Sequence, residues 1–250
     1  MCRMEHPFGI DFGGTGIKGA PVDLSVGDFA DERVRFATPQ PATPDAVADV
    51  LAELVAAFPR SRSAVGVTVP GVVRRGVVGS AANIDDAWIG TDADALLTER
   101  LDRPVHVVND ADAAGVAEAA YGAARGVTGL VIVTTLGTGI GSAMVHDGVL
   151  VPNSELGHLE VDGHDAETRA SNVARKREDL SWEEWAERLT RYYRTLEMLF
   201  SPEVLVVGGG VSKDADEWLH LVDVATPLVP ATLRNRAGVV GAALLAHRLT

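Results

Sequence analysis

The hydrophobic positions of this chain fall into two copies of one plan. Residues 9–23, GIDFGGTGIKGAPVD, run as an apolar strand start, a Gly-Gly-Thr-Gly turn and a second strand from about Ile17. Residues 131–148, VIVTTLGTGIGSAMVHDG, repeat it, and GTGIKGA at 14–20 matches GTGIGSA at 137–143. Two such hairpins, one heading each half, predict a duplicated α/β unit. Between them, Val34 and Phe36 suggest a strand and the Pro-rich 38–44 a loop. Residues 45–58 show a helical stripe of Val47, Val50, Leu51, Leu54 and Val55, with Pro44 in the first turn and Thr43 as N-cap. A buried strand at 65–69 ends in Pro70-Gly71, a second strand continues over 72–78 around Arg74 and Arg75, and 80–88 is irregular. A helix at 91–101, a strand at 105–108 and a small-residue helix at 111–120 complete the first half. Beyond the second hairpin, the capping-box residues Ser181 and Glu184 open a helix reaching Phe200. Its Trp185, Leu189, Tyr192, Tyr193, Leu196 and Leu199 read as core or subunit interface. Pro202 ends that helix, a strand at 204–207 runs into Gly208-Gly209-Gly210, and 238–248 is a second small-residue helix.

Composition narrows the function classes. In 250 residues, 46% hydrophobic and 23% charged, there is material for one large or two modest globular domains. No apolar run is long enough to span a bilayer, and the first residues lack the apolar middle of a signal peptide, so a cytoplasmic protein is expected. Cys2 is the only cysteine, which rules out an intrachain disulfide and a cysteine-rich zinc site. A formal charge of −13 argues against sequence-independent nucleic-acid binding. A polyanionic substrate would need a local cationic groove and a metal ion against that field.

The glycine turns carry the first candidate chemistry. Gly13, Gly14 and Gly16 are expected to supply φ > 0 and to admit an anion close to backbone N–H groups. Asp11 can reach a phosphate-bound Mg²⁺ or its water shell, and Lys18 adds a positive charge. One such turn alone also reads as an ordinary glycine-rich hairpin; the second copy favours a phosphate cradle. No G-x-x-x-x-G-K-[ST] occurs, and a strand rather than a helix follows each turn. Phosphoryl transfer is therefore favoured over hydride transfer. The second candidate is Asn109-Asp110, where a strand meets a helix. A hydroxyl is a poor nucleophile at neutral pH, and a carboxylate that accepts its proton assists attack. Either residue equally reads as a helix cap. Asn83 offers a donor and an acceptor to a hydroxyl. Glu155 and His158 flank Gly157 as a polar pair.

The blocks GIDFGGTGIKGAPVD, TPQPATPDAV, SAANIDDAW, NDADAAG, TLGTGIGSA, ELGHLEVDGHDAET and VVGGGVSK, in order from Gly9 to about Ala246, resemble the ROK group of sugar kinases and repressors. Within that group the likeness is to glucose kinases that use inorganic polyphosphate, some of which also accept ATP or mannose. The resemblance implies an α/β chain of the actin-like ATPase (ribonuclease H-like) fold, two duplicated lobes with a ligand cleft between them. One lobe is 1–115 completed by a C-terminal helix, 238–250; the other is 116–237. The activity implied is transfer of a terminal phosphoryl group from polyphosphate, or ATP, to the 6-hydroxyl of glucose, with Asp110 as general base. Asn83, Asn109, Asp110, Glu155, His158 and Glu167 are the implied glucose ligands. Asp11, Gly13, Gly14, Thr15, Lys18, Thr135, Gly137, Thr138 and Gly139 are the implied phosphate-binding residues. Gly208, Gly209, Gly210 and Lys213 form the implied donor loop, and Asp11 places Mg²⁺, directly or through water. The small residues of 111–120 are expected to let the sugar approach. A homodimer is the usual assembly of such proteins.

The chain departs from the group after the Gly-His pair. Many members carry cysteines there that bind a structural zinc; residues 159–166, LEVDGHDA, have none. No structural zinc is expected, and His164 or Asp165 is left to hold the loop. Arg175, Lys176 and Arg177 are the densest basic cluster, a solvated face or a contact for a polyphosphate tail. The alternatives are an ATP-dependent glucokinase or mannokinase, and a sugar-sensing regulator. Against the regulator, the first hairpin begins at Gly9, before which no helix-turn-helix fits.

Overall fold

The structure, a computed structural model, describes residues 6–59, 61 and 63–249; Cys2 and Thr250 lie outside them. The chain divides into two compact units, 1–117 with 236–250, and 118–235. No described helix is long and apolar enough to cross a membrane.

The first unit is built on a mixed sheet. Strands β1 (Phe8–Gly13), β2 (Gly16–Asp23), β3 (Asp28–Phe29) and β4 (Val34–Phe36) lead to helix α1 (Pro44–Ala56) and strand β5 (Val65–Val69). Then come β6 (Val73–Arg74), β7 (Val77–Val78), α2 (Ala93–Leu101), β8 (Val105–Asn109) and α3 (Asp110–Tyr121). The sheet order is β3-β2-β1-β5-β8, antiparallel at the β1–β2 hairpin and parallel across β1, β5 and β8. Alternation assigns the two faces. Phe8, Ile10 and Phe12 of β1, with Val65, Val67 and Val69 of β5, join Val47, Leu51 and Leu54 of α1 and Leu97 of α2 in one core. Thr43 caps α1 as expected, accepting from Ala46 N at 3.4 Å.

The opposite face receives the C-terminal helix, Ala237–Arg248. A Cβ on Gly9 would lie 1.9 Å from the Val239 carbonyl oxygen, and one on Gly66 1.9 Å from that of Ala242. A Cβ on Gly241 would come 1.8 Å from the Ala113 carbonyl oxygen. Ala113 of α3 and Gly241 of the last helix thus let the two backbones touch within the fold. Residues 72–78 also differ from a continuous strand. Arg75 and Gly76 take φ of 53° and 78°, which folds β6 and β7 into a two-residue hairpin.

The second unit repeats the sheet. Strands β9 (Leu130–Leu136), β10 (Ile140–His146) and β11 (Val149–Val151) form its hairpin and edge. They are followed by β12 (Glu160–Val161), β13 (His164–Asp165), α4 (Ala166–Ala170), α5 (Asn172–Arg177) and α6 (Trp182–Phe200). Strand β14 (Val204–Gly208), helix α7 (Ala215–Trp218) and strand β15 (Leu228–Pro230) end the unit. The order β11-β10-β9-β14-β15, with an antiparallel hairpin and parallel β9, β14 and β15, matches the path β3-β2-β1-β5-β8 of the first sheet, which carries β4 on β2 in addition. Duplication is therefore visible in topology as well as in the glycine turns. The capping box of α6 is formed, Ser181 accepting from Glu184 N at 3.2 Å and Glu184 from Ser181 N at 2.9 Å. Trp185, Leu189, Tyr192, Tyr193 and Leu196 are buried, but Leu199 is 52% exposed and lies outside that core. The helix ends at Ser201, whose left-handed φ of 47° precedes Pro202.

Candidate active site

The first glycine turn joins β1 to β2 through Gly14 and Thr15. None of Gly13, Gly14 and Gly16 takes the left-handed backbone expected of them. At Gly14 the closeness of a backbone neighbour excludes a side chain, whereas a Cβ on Gly13 would meet nothing nearer than 3.6 Å. A Cβ on Gly14 would sit 2.7 Å from the Asn83 carbonyl oxygen, and one on Gly16 2.8 Å from the Arg35 guanidinium. Three carbonyls of the turn accept from side chains of residues 35–40. Thr38 Oγ1 donates to Gly13 O at 2.5 Å, Gln40 Nε2 to Gly14 O at 3.4 Å and Arg35 Nη2 to Thr15 O at 3.5 Å. A planar trans peptide points its N–H opposite to its C=O. The N–H groups of Gly14 and Thr15 therefore face away from those three side chains, as a pair of donors suited to an anion. Thr38, Gln40 and Arg35 were not among the expected site residues. Pairing of β4 with β2, which puts Arg35 opposite Lys18, is what carries them to the turn.

Asp11 lies on the face that receives the C-terminal helix. Its Oδ2 is 3.3 Å from Lys18 Nζ, and its Oδ1 accepts from Thr68 Oγ1 at 3.3 Å. A Cβ on Gly238, in the first turn of that helix, would lie 3.2 Å from the Asp11 carboxyl carbon. A single carboxylate of this kind, with substrate phosphates and water completing the shell, suits Mg²⁺. The residues present fit that ion.

Asn109 and Asp110 stand where β8 becomes α3. Asn109 does the capping: its Oδ1 accepts from Asp112 N at 3.0 Å, while its Nδ2 donates to Gly71 O at 3.0 Å, and the residue is buried. Asp110 is exposed, its Oδ1 accepting from Ala111 N at 2.9 Å. A carboxylate at a helix N-terminus is electrostatically favoured. A chain of contacts runs from this pair to the first glycine turn. Asn109 holds Gly71, a Cβ on Gly71 would lie 2.0 Å from Ser80 O, and Asn83 abuts Gly14. Asn83 is exposed with φ of 61°, a conformation asparagine tolerates.

The second unit gathers its expected residues around the β9–β10 turn. Gly137 and Gly139 are likewise outside the left-handed region. Val173 N donates to Gly137 O at 3.1 Å, so by peptide planarity the Thr138 N–H points the other way. Glu167, in the first turn of α4, accepts from Ile140 N at 3.0 Å, and a Cβ on Gly139 would lie 2.2 Å from its Oε2. Gly157 is needed where a Cβ would meet Ile140 O at 2.1 Å. Thr135 abuts Gly208, 3.6 Å from its Cβ position. Gly209 takes φ of 83°, and its Cβ would be 2.5 Å from Leu136 O. The triplet's close approach is thus to the end of β9. Lys213 is exposed.

The loop without cysteines is held by a hairpin. Asp162 and Gly163, with φ of 54° and 75°, turn β12 into β13. Asp165 then accepts from Glu167 N at 3.1 Å through Oδ1 and meets His158 Nδ1 at 2.8 Å through Oδ2. That hydrogen bond is the main cause raising the His158 pKa, against partial burial, with Glu167, Asp165 and Glu155 adding to it. Glu155 is also raised, chiefly by desolvation of a carboxyl on a residue otherwise exposed; His158 opposes this and Glu167 reinforces it. His158, Asp165 and Glu167 bring ligand atoms within 4.8 Å of one another, a set of types that can hold a metal ion.

The basic run is partly committed elsewhere. Arg175 stacks 3.8 Å from the Trp182 ring centroid, and Arg177 Nη2 donates to Thr168 O at 2.8 Å. Lys176 is the member of the trio without such contacts among the described residues.

Comparison with known proteins agrees with this construction. Residues 7–175 match the ROK family model. A polyphosphate glucokinase of Mycobacterium tuberculosis is 50% identical over 96% of this chain and 91% of its own. The crystal structure of an inorganic polyphosphate/ATP-glucomannokinase from Arthrobacter sp. strain KM is 58% identical, with a TM-score of 0.92 over 98% of this chain and 99% of its own. A ROK glucokinase from Streptomyces griseus, in complex with glucose and AMPPNP, is 26% identical, with a TM-score of 0.83 over 97% and 99%. Sheet topology, glycine turns and sequence together place the chain in the ROK family, with its actin-like ATPase fold.

Proposed function

We propose that this protein is a sugar kinase transferring a phosphoryl group from inorganic polyphosphate, and also from ATP, to the 6-hydroxyl of glucose. The observation that carries the reading is the 50% identity to a polyphosphate glucokinase over nearly the whole chain. Asp110 accepts the hydroxyl proton as the oxygen attacks phosphorus. Asn109 acts by fixing the start of α3, and Asn83 offers its exposed amide to a sugar hydroxyl. Glu155, His158 and Glu167 are further polar groups suited to sugar hydroxyls.

The N–H groups of Gly14 and Thr15, and those of the turn at Gly137, Thr138 and Gly139, receive donor oxygens. Lys18 neutralises charge beside them, with Gly13 and Thr135 shaping the two turns. The Gly208–Gly209–Gly210 loop and Lys213 serve the donor's far side. Mg²⁺ anchored by Asp11 supplies charge neutralisation on the phosphates when bound. The protein works in the cytoplasm as a homodimer. Formation of glucose 6-phosphate with polyphosphate and with ATP, measured in parallel on glucose and mannose, tests the reading. Product from both donors is expected, and absence of product with polyphosphate would overturn the donor assignment.

A further inference from the structure

Beside the β12–β13 hairpin and α4, the second unit carries a surface cavity of about 230 Å³, several times the ~30 Å³ of a liquid water molecule. Asp162, His164, Arg169, Arg188, Arg191 and Tyr192 line it, together with small apolar groups. Three guanidiniums in one cavity stand out in a chain of net charge −13. Two are partly neutralised: Arg191 Nε lies 3.3 Å from Asp162 Oδ2, and Arg188 Nη2 2.7 Å from Glu178 Oε2. Arg188 is also fixed by donating from Nη1 to Arg169 O at 3.1 Å. Arg169 is exposed and forms no ion pair among the described residues.

The cavity has a second, independent mark. Tyr192 is 1% exposed, and its hydroxyl meets no hydrogen-bond partner among the described residues. A buried hydroxyl left without a partner is destabilising. Burial first, then Tyr193 and Glu167, push its pKa well above the ordinary tyrosine value, so it remains a donor. A cavity lined by forked guanidiniums and by this tyrosine matches one acceptor chemistry, an oxyanion with several oxygens.

We propose that this cavity is an anion site for a phosphoryl group, distinct from the glycine turns. The group can come from a phosphate chain or from a sugar phosphate ester. Titration calorimetry with inorganic tripolyphosphate, and separately with glucose 6-phosphate, distinguishes the two sources. Arg169→Ala and Arg191→Ala should each weaken one binding event by about tenfold, as expected for loss of a charge-assisted contact. Tyr192→Phe should weaken the same event several-fold while leaving thermal stability unchanged or raised, because the hydroxyl has no partner among the described residues. Lys18→Ala should leave that event in place. Turnover of glucose with ATP should persist in the two arginine variants and in Tyr192→Phe. Unchanged binding in those three variants would overturn the proposal, as would loss of the event in Lys18→Ala. If the chain proved unable to use polyphosphate, the titrations would still decide the cavity's ligand.

Discussion

Replacing Glu118 by alanine tests how the second unit is tied together. Glu118 is a carboxylate in α3, 1% exposed, so its interactions are barely screened by solvent. Its Oε1 accepts from Leu233 N at 2.7 Å; its Oε2 accepts from Ala123 N at 2.8 Å, Thr232 N at 3.2 Å and Thr232 Oγ1 at 3.3 Å. Truncation strands three backbone donors at once. The Leu233 donor is buried, and stranding it costs about 1–3 kcal/mol; those of Ala123 and Thr232 are part-buried and cost less, offset in part by water entry. A net loss of about 3 kcal/mol is expected, or roughly 6–12 °C in Tm for a chain of this size. Glu118→Gln, which keeps one acceptor oxygen and the volume, should cost about half as much. Thermal unfolding by circular dichroism reads both variants. A Tm within about 2 °C of wild type for Glu118→Ala would refute the reasoning.

Further outcomes follow from other contacts. Gly66→Ala would drive a Cβ to 1.9 Å from the Ala242 carbonyl oxygen, so the C-terminal helix must shift; a loss of at least ~3 kcal/mol in denaturant unfolding is expected. For His158 the folded pKa is raised, so its stabilising effect is complete below the unfolded value near 6.5 and disappears as pH rises through the folded value. His158→Ala should therefore lower Tm more at about pH 5.5 than at about pH 8.5 in sugar-free protein, and an equal drop at both would contradict it. Thr38→Val removes the hydroxyl that holds Gly13 O, and should raise KM for the phosphoryl donor by about tenfold with KM for glucose little changed. Equal rises in both constants would show that the loop acts generally.

The strand–turn–strand plan was legible because its apolar runs and glycines are local. So was α6, whose capping box and aromatic stripe lie within one helix. The reasons for particular glycines were not. Gly13, Gly14 and Gly16 looked like φ > 0 positions, yet Gly14 is glycine because Asn83 lies against it, a partner 69 positions away in sequence. Gly9 and Gly66 gave no sign of the C-terminal helix that their missing side chains admit. Nothing in the sequence marked Glu118, since its partners at 232 and 233 are brought to it by the fold. Asn109 and Asp110 left capping and catalysis open between them, and the structure assigns the cap to Asn109. That assignment leaves Asp110 as the exposed carboxylate of the pair.

The most direct measurement is the turnover of Asp110→Ala, with glucose affinity determined on the same protein. A fall in kcat of at least ~10²-fold with glucose still bound is predicted, the size of a general-base contribution. Near-wild-type kcat in a folded, glucose-binding Asp110→Ala protein would contradict the account.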